Sequence, residues 1–354
     1  MEKFSQLFEG VLAFQWQFII MYIIGGGLIY LAIKKDYEPM LLLPIGFGAI
    51  LVNLPFGTIW EHDGVPGVLQ IFYNSGILTE IFPVLIFLAV GAMIDFSPLL
   101  KMPKMLFFGA AAIGIIGAAD GPTSIYVASK FATSWIGPIT VAAYSYMALV
   151  PVIQPPVIKL LTTRSERMIR MDYHDVKVSK VALILFPILI TIISGIIAPI
   201  STPLIGLLMF GNLIRESGVL ERLSKAAQNE LANIVTLLLG ITIGATMHYE
   251  QFLDYKTLII MAMGLLAFVF DTAGGVLFAK FLNLFSKNKI NPMIGAAGIS
   301  AFPMSARVVQ RLAKAEDPHN FILMQAVGAN VAGQLGSIVA GGLVLALVPF
   351  LLSL

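Results

Sequence analysis

The 354-residue chain has no cysteine, only four histidines, and charged side chains at just 12% of its positions. Without cysteine it cannot be a disulfide-stapled secreted scaffold. The histidines (His62, His174, His248, His319) are scattered and stand at no metal-ligand spacing. No Cys–His or Ser–His–Asp constellation, P-loop or dinucleotide fingerprint stands out, so nothing points to a nucleotide-powered machine. Charge is at about half the level of a soluble domain, and a formal net charge of +2 offers no surface for nucleic acid. What fills the chain instead is hydrophobic side chain, 58% of it, gathered in long blocks. Too few polar groups remain to cover a water-exposed surface, which excludes a soluble enzyme and a disordered protein. The composition is that of a multispanning membrane protein.

The apolar run from about Phe14 to Ile33 is long enough for about 30 Å of hydrocarbon. No small-residue cleavage site ends it, so it is expected to be a retained first span closed by Lys34-Lys35-Asp36. Further apolar blocks follow to residue 352, several of them short or rich in Gly and Pro. Nothing alternates with period two, which disfavours a β-barrel. The expectation is an all-α polytopic fold of about 10–11 helices, since lipid leaves backbone groups no other partners. The one long polar loop, 159–180, carries six basic residues against three acids and is expected to be cytoplasmic. The plainer alternative is a solvated loop that only sets orientation.

Residues 84–100 (VLIFLAVGAMIDFSPLL) align with 237–253 (LLLGITIGATMHYEQFL) at an offset of 153, placing Gly91-Ala92 on Gly244-Ala245. Paired Gly- or Pro-interrupted segments in two halves point to a transporter-like site formed by broken helices near mid-membrane. An odd number of intervening spans makes the second repeat inverted. The organisation read from this is a spanning helix (1–38), a first repeat (39–160), a basic loop (161–180), a connecting helix (181–201) and a second repeat (202–354).

Asp120 stands in GIIGAADGPTSIY after fifteen residues without charge. A carboxylate at membrane depth costs at least about 2.5–3.5 kcal/mol, so it normally faces a cavity or a cation. Gly121-Pro122 breaks the helix there, and Thr123 and Ser124 add hydroxyls, making an oxygen-rich nest for a hard cation. The alternative is a simple helix cap. Asp271, in LLAFVFDTAGG, is either a second ion site or an N-cap. The segment INPMIGAAGISAFPMSARVVQR offers Asn291, Gly295, Ser300 and Arg307; Arg307 either holds a carboxylate or marks a cytoplasmic helix end. Tyr144 and Tyr146 lie on a helix expected to end at Pro155-Pro156. Asn330, among glycines, is either interhelical glue or an oxygen ligand.

GAADGPTSIY (117–126), VAAYSYMALVPVIQPP (141–156), GNLIRESGVLERL (211–223), INPMIGAAGISAFPMSARV (290–308) and GANVAGQLGS (328–337) together resemble the β-subunit of the sodium-pumping, biotin-dependent decarboxylases of oxaloacetate, methylmalonyl-CoA, glutaconyl-CoA or malonate. The resemblance implies a subunit that decarboxylates carboxybiotin and exports sodium. It implies sodium on Asp120, Asn291, Asn330 and Ser300, and a carboxybiotin carboxylate oriented by Arg307, with Ser300 close by. Tyr146 would act in coupling; Gly121, Pro122 and Gly295 would shape the site, and Thr123 and Asp271 carry little weight. Implied partners are a carboxyltransferase subunit, a biotin-carrier subunit and a small membrane anchor, in a homo-oligomer of a prokaryotic cytoplasmic (inner) membrane. Ala329 departs from the proline of many members. The residues alone leave open a sodium- or proton-coupled carrier of a small anion, without bond chemistry.

Overall fold

The computed structural model describes residues 13–35, 38–55, 57–62, 64–109, 120–132, 135–171, 178–286 and 288–352. The repeat segment 110–119 and the loop acids Asp172 and Asp175, with His174 and Lys177, lie outside the described residues. The described backbone is helical apart from one hairpin of two-residue strands, Glu61–His62 and Val65–Pro66. The main helices are α1 (Trp16–Lys35), α2 (Pro39–Val52), α3 (Ile81–Met93), α4 (Gly121–Phe131), α5 (Ile136–Ala148) and α6 (Val150–Leu161). They continue as α7 (Lys180–Ile197), α8 (Thr202–Ser217), α9 (Ala232–Ala245), α10 (Tyr255–Phe285), α11 (Met304–Glu316) and α12 (Leu323–Leu352).

Among the described residues, five single helices are long and apolar enough to cross a bilayer, and two bent pairs raise the number to seven. α1 ends on Lys34 and Lys35, whose charge favours both a helix C-terminus and an interface. On α7, Ile192, Ile193 and Ile196 are exposed, as a lipid-facing surface requires.

Two helix crossings organise the frame. α2 packs on α9, and α3 packs on α8. At the first crossing a Cβ on Gly244 would lie 2.1 Å from the Ile45 carbonyl oxygen; at the second, a Cβ on Gly91 would lie 1.8 Å from that of Leu208. Gly91 and Gly244 are the residues aligned by the 153-residue offset. Only a missing side chain lets the backbones meet this closely. Just past each crossing an asparagine amide of one half satisfies a helix-end carbonyl of the other. Asn53 Nδ2 donates to Met247 O at 2.8 Å and Asn212 Nδ2 to Ile94 O at 3.0 Å. Ile94 and Met247 are again 153 residues apart.

Two local expectations are corrected. The helix carrying Tyr144 and Tyr146 stops at Leu149, not at Pro155-Pro156, and α6 leaves it at 63°. Pro151 occupies the first turn of α6, where a missing N–H costs nothing, while Pro155 and Pro156 sit inside the helix. Asp271 is not an N-cap, because α10 runs unbroken through it.

The described part of the basic loop is strapped down, not free. Thr163 and Glu166 form a capping box on the short helix Arg164–Arg167. Arg167 pairs with Glu316 at 2.7 Å, Arg170 with Asp317 at 2.7 Å and Lys280 with Glu166 at 3.1 Å. Amides of Asn291 and Asn320 both reach the carbonyls of Arg167 and Ile169, and Gln325 reaches that of Met171.

Candidate functional site

Asp120 caps α4: its Oδ1 accepts the Thr123 N–H at 2.7 Å, and Pro122 fills a first-turn position that needs no N–H. The residue is nonetheless 2% exposed and lines a cavity of about 220 Å³. Cap and site are thus the same carboxylate. Its second oxygen accepts the Ser337 hydroxyl of α12, and Ser300 of the broken segment bonds the same carboxylate.

The broken segment comprises a short turn of helix (Met293–Ala296), non-helical residues 297–303, and α11. Such a break frees carbonyl oxygens, and the protein covers several of them itself. Asn330 Nδ2 donates to Ile299 O at 2.6 Å and reaches Ala301 O at 3.5 Å, bracketing Ser300. Gln154 Nε2 and Ser305 Oγ both donate to Ala296 O. Asn330 Oδ1 is buried without a hydrogen-bond partner, and the Thr123 hydroxyl approaches the Asp120 carboxylate. Asp120, Ser300, Ser337, Thr123 and Asn330 therefore gather as an all-oxygen set with acceptors to spare, the chemistry of a hard cation and not of a soft one.

The two tyrosines differ. Tyr144 is buried, lies over Gly121 where a Cβ would come within 2.2 Å of its ring, and lines the cavity; its hydroxyl has no hydrogen-bond partner. Tyr146 turns toward α10, against Phe268 at a ring distance of 5.9 Å. Its hydroxyl approaches Ser124, whose Oγ donates to the Asp120 backbone carbonyl.

Two expected site residues lie apart. Asn291 is fully buried, but its amide protons go to Arg167 and Ile169, and its Oδ1 accepts the Met293 N–H. It holds the strap, because buried strap carbonyls need donors, and both of its amide protons are committed there. Arg307 is exposed on α11, in the first turn beyond the cavity-lining Pro303 and Met304. Gly295 serves as a close contact with Gly275, each a Cβ's width from the other's carbonyl. Among the described residues no group of three or more His, Asp or Glu could hold a metal by side chains of that kind alone.

The model of the Na+-transporting oxaloacetate decarboxylase β-subunit family matches residues 17–112 and 109–348. The chain is 49% identical to the glutaconyl-CoA decarboxylase β-subunit of Acidaminococcus fermentans, over 96% of both chains. It is 47% identical to the methylmalonyl-CoA decarboxylase β-subunit of Propionigenium modestum, over 93% of this chain and 94% of that one. With an oxaloacetate decarboxylase β-chain of Salmonella typhimurium it shares 42%, over 92% and 94%. The chain belongs to this β-subunit family.

In this family member the polar residues missed by sequence reasoning are neutral ones, Gln334 and Ser337. With the expected Asn330 they recur at i, i+4 and i+7 on one face of α12, and Gln334 lines the cavity. That spacing is the signal that could have found them. Tyr144 carried no such mark, since its neighbour Tyr146 reads the same by composition.

Proposed function

We propose that the β-subunit decarboxylates carboxybiotin and couples this to outward sodium movement, with Asp120 and its serine partners as the sodium station. The observation that carries this reading is the buried Asp120 carboxylate, held by Thr123, Ser300 and Ser337 and open to a cavity lined mostly by apolar groups, with Gln334, Asn233 and Glu38 among its polar ones. Sodium is cargo here. It would take its ligands from Asp120, Ser300 and Ser337, with the Thr123 hydroxyl and the unpartnered Asn330 Oδ1 as further donors.

In the reaction the N–C bond of carboxybiotin breaks, CO2 leaves, and the nitrogen takes up a proton. Arg307 lies outside the cavity and is suited to meet a carboxylate delivered on a carrier from the aqueous side. Coupling requires that cargo and carboxylate alter each other's affinity. Moving one charge against the membrane potential takes about 2.3 kcal/mol per 100 mV.

The partners in this reading are a carboxyltransferase, a biotin carrier and a small membrane anchor, in an oligomer of a prokaryotic inner membrane with segment 159–180 on the cytoplasmic side. The two glycine crossings support a pair of repeats, which we assign inverted topology. Asp120→Asn in reconstituted vesicles tests the reading. It should abolish sodium-dependent CO2 release from carrier-bound carboxybiotin; sodium dependence surviving at the parent's concentration range would refute it.

A further inference from the structure

Asp271 takes no part in the site above. It is fully buried near the middle of α10, about 24 Å of helix from Tyr255 and about 21 Å from Phe285. Among the described residues neither of its carboxyl oxygens has a hydrogen-bond partner, and the hydroxyl of Thr272 beside it is equally without one. A carboxylate there would be both unsolvated and unpaired, so the group is the neutral acid.

The face of α10 that carries Asp271 is a seam. Gly264, Phe268, Asp271 and Gly275 follow at helical spacing, which puts them on one side. Gly264 and Phe268 pack against Tyr146 of α5, and Gly275 lies against Gly295 of the broken segment. Asp271 stands between these contacts, where the helix meets two of the elements that contribute to the cavity lining.

We propose that Asp271 is a proton-binding site that holds this seam closed. The acid belongs to the closed seam. Its ionisation releases one proton to water and leaves a carboxylate that must be hydrated, so the anion belongs to an opened, wetted seam. Proton loss and opening are then linked, and each promotes the other. The titratable groups on elements packed against α10 are Tyr144 and Tyr146, Lys159 of α6, and Tyr249 and Glu250 of the preceding turn. Its own helix adds Tyr255, Lys256 and Lys280, and Lys280 is paired with Glu166. None of them forms an ion pair with Asp271. The proposal stands apart from the function proposed above, since protonation does not depend on which ion is carried.

The absence of native cysteine gives a clean test. In the full chain in lipid nanodiscs, Ala279→Cys places one thiol at a buried position two turns along the same face. Its modification rate by a water-soluble thiol reagent is measured against pH with Asp271 present and with Asp271→Asn. The ratio of the two rates cancels the thiol's own ionisation. It should rise by up to about tenfold per pH unit, and Asp271→Glu should restore the rise. Equal rates in the Asp271 and Asp271→Asn backgrounds at every pH overturn the proposal. A second measurement uses the native chain and dicyclohexylcarbodiimide, which reacts with the protonated acid. Modification mapped to residue 271 should fall as pH rises; none at any pH, or none that varies with pH, overturns the proposal even where Asp271→Asn does not fold. Both readouts are independent of sodium-dependent turnover.

Discussion

Ser337 donates its hydroxyl to Asp120 across 217 residues of sequence, joining α12 to the first turn of α4. A hydrogen bond to a charged group is worth about 1.5–3 kcal/mol. Ser337→Ala is therefore expected to raise the sodium concentration for half-maximal decarboxylation by about tenfold or more. Sodium titration of the reconstituted chain measures it; an unchanged midpoint would show that Ser337 only packs.

The unpartnered hydroxyl of Tyr144 makes a prediction of opposite signs. Removing a buried, unsatisfied donor relieves a cost of about 1–3 kcal/mol, so Tyr144→Phe should raise the unfolding temperature. If that hydroxyl serves passing cargo, sodium-dependent turnover falls in the same variant. Higher stability with full activity would reduce Tyr144 to a packing residue.

Gly91→Ala and Gly244→Ala each force a methyl group into a carbonyl oxygen of the crossing helix. Overpacking of this kind costs about 1–3 kcal/mol, and more where backbone must move. Both variants should unfold at clearly lower temperature in detergent, whereas Gly26→Ala, with nothing near its Cβ, should not.

The strap has a definite pH dependence. Arg170 beside Asp317 holds that carboxyl below its ordinary range, and Arg167 does the same for Glu316. A depressed carboxyl stabilises above its unfolded pKa and loses that contribution as pH falls through the folded value. The strap should stay protected from protease at neutral pH and become cleavable on acidification. Asp317→Asn should be cleaved faster than the parent at neutral pH; identical cleavage would remove the pair from the account.

Much of the architecture is legible in the sequence because lipid enforces it. The first apolar helix, a helix start at Gly121-Pro122 and the importance of Asp120 all follow from reading the sequence. The strap bonds of Asn291 are not legible in the sequence, because an amide buried against backbone carbonyls and one facing an ion have the same sequence surroundings. The difference lies in where the chain returns 120 residues away. Ser337 and Gln334 passed as small or neutral packing residues since no charge singles them out. The break at Leu149 was displaced by six residues because two adjacent prolines look like a stop, while a single proline in a first turn is the gentler and actual one.

That Asp120 both caps α4 and faces the cavity has a mechanical meaning. One oxygen is committed to the start of the helix, so the carboxylate cannot swivel freely. If Asp120 is the sodium station proposed above, arrival and loss of the ion would be felt as tension on the leading turn of α4, turning a binding event into a pull along a rigid rod.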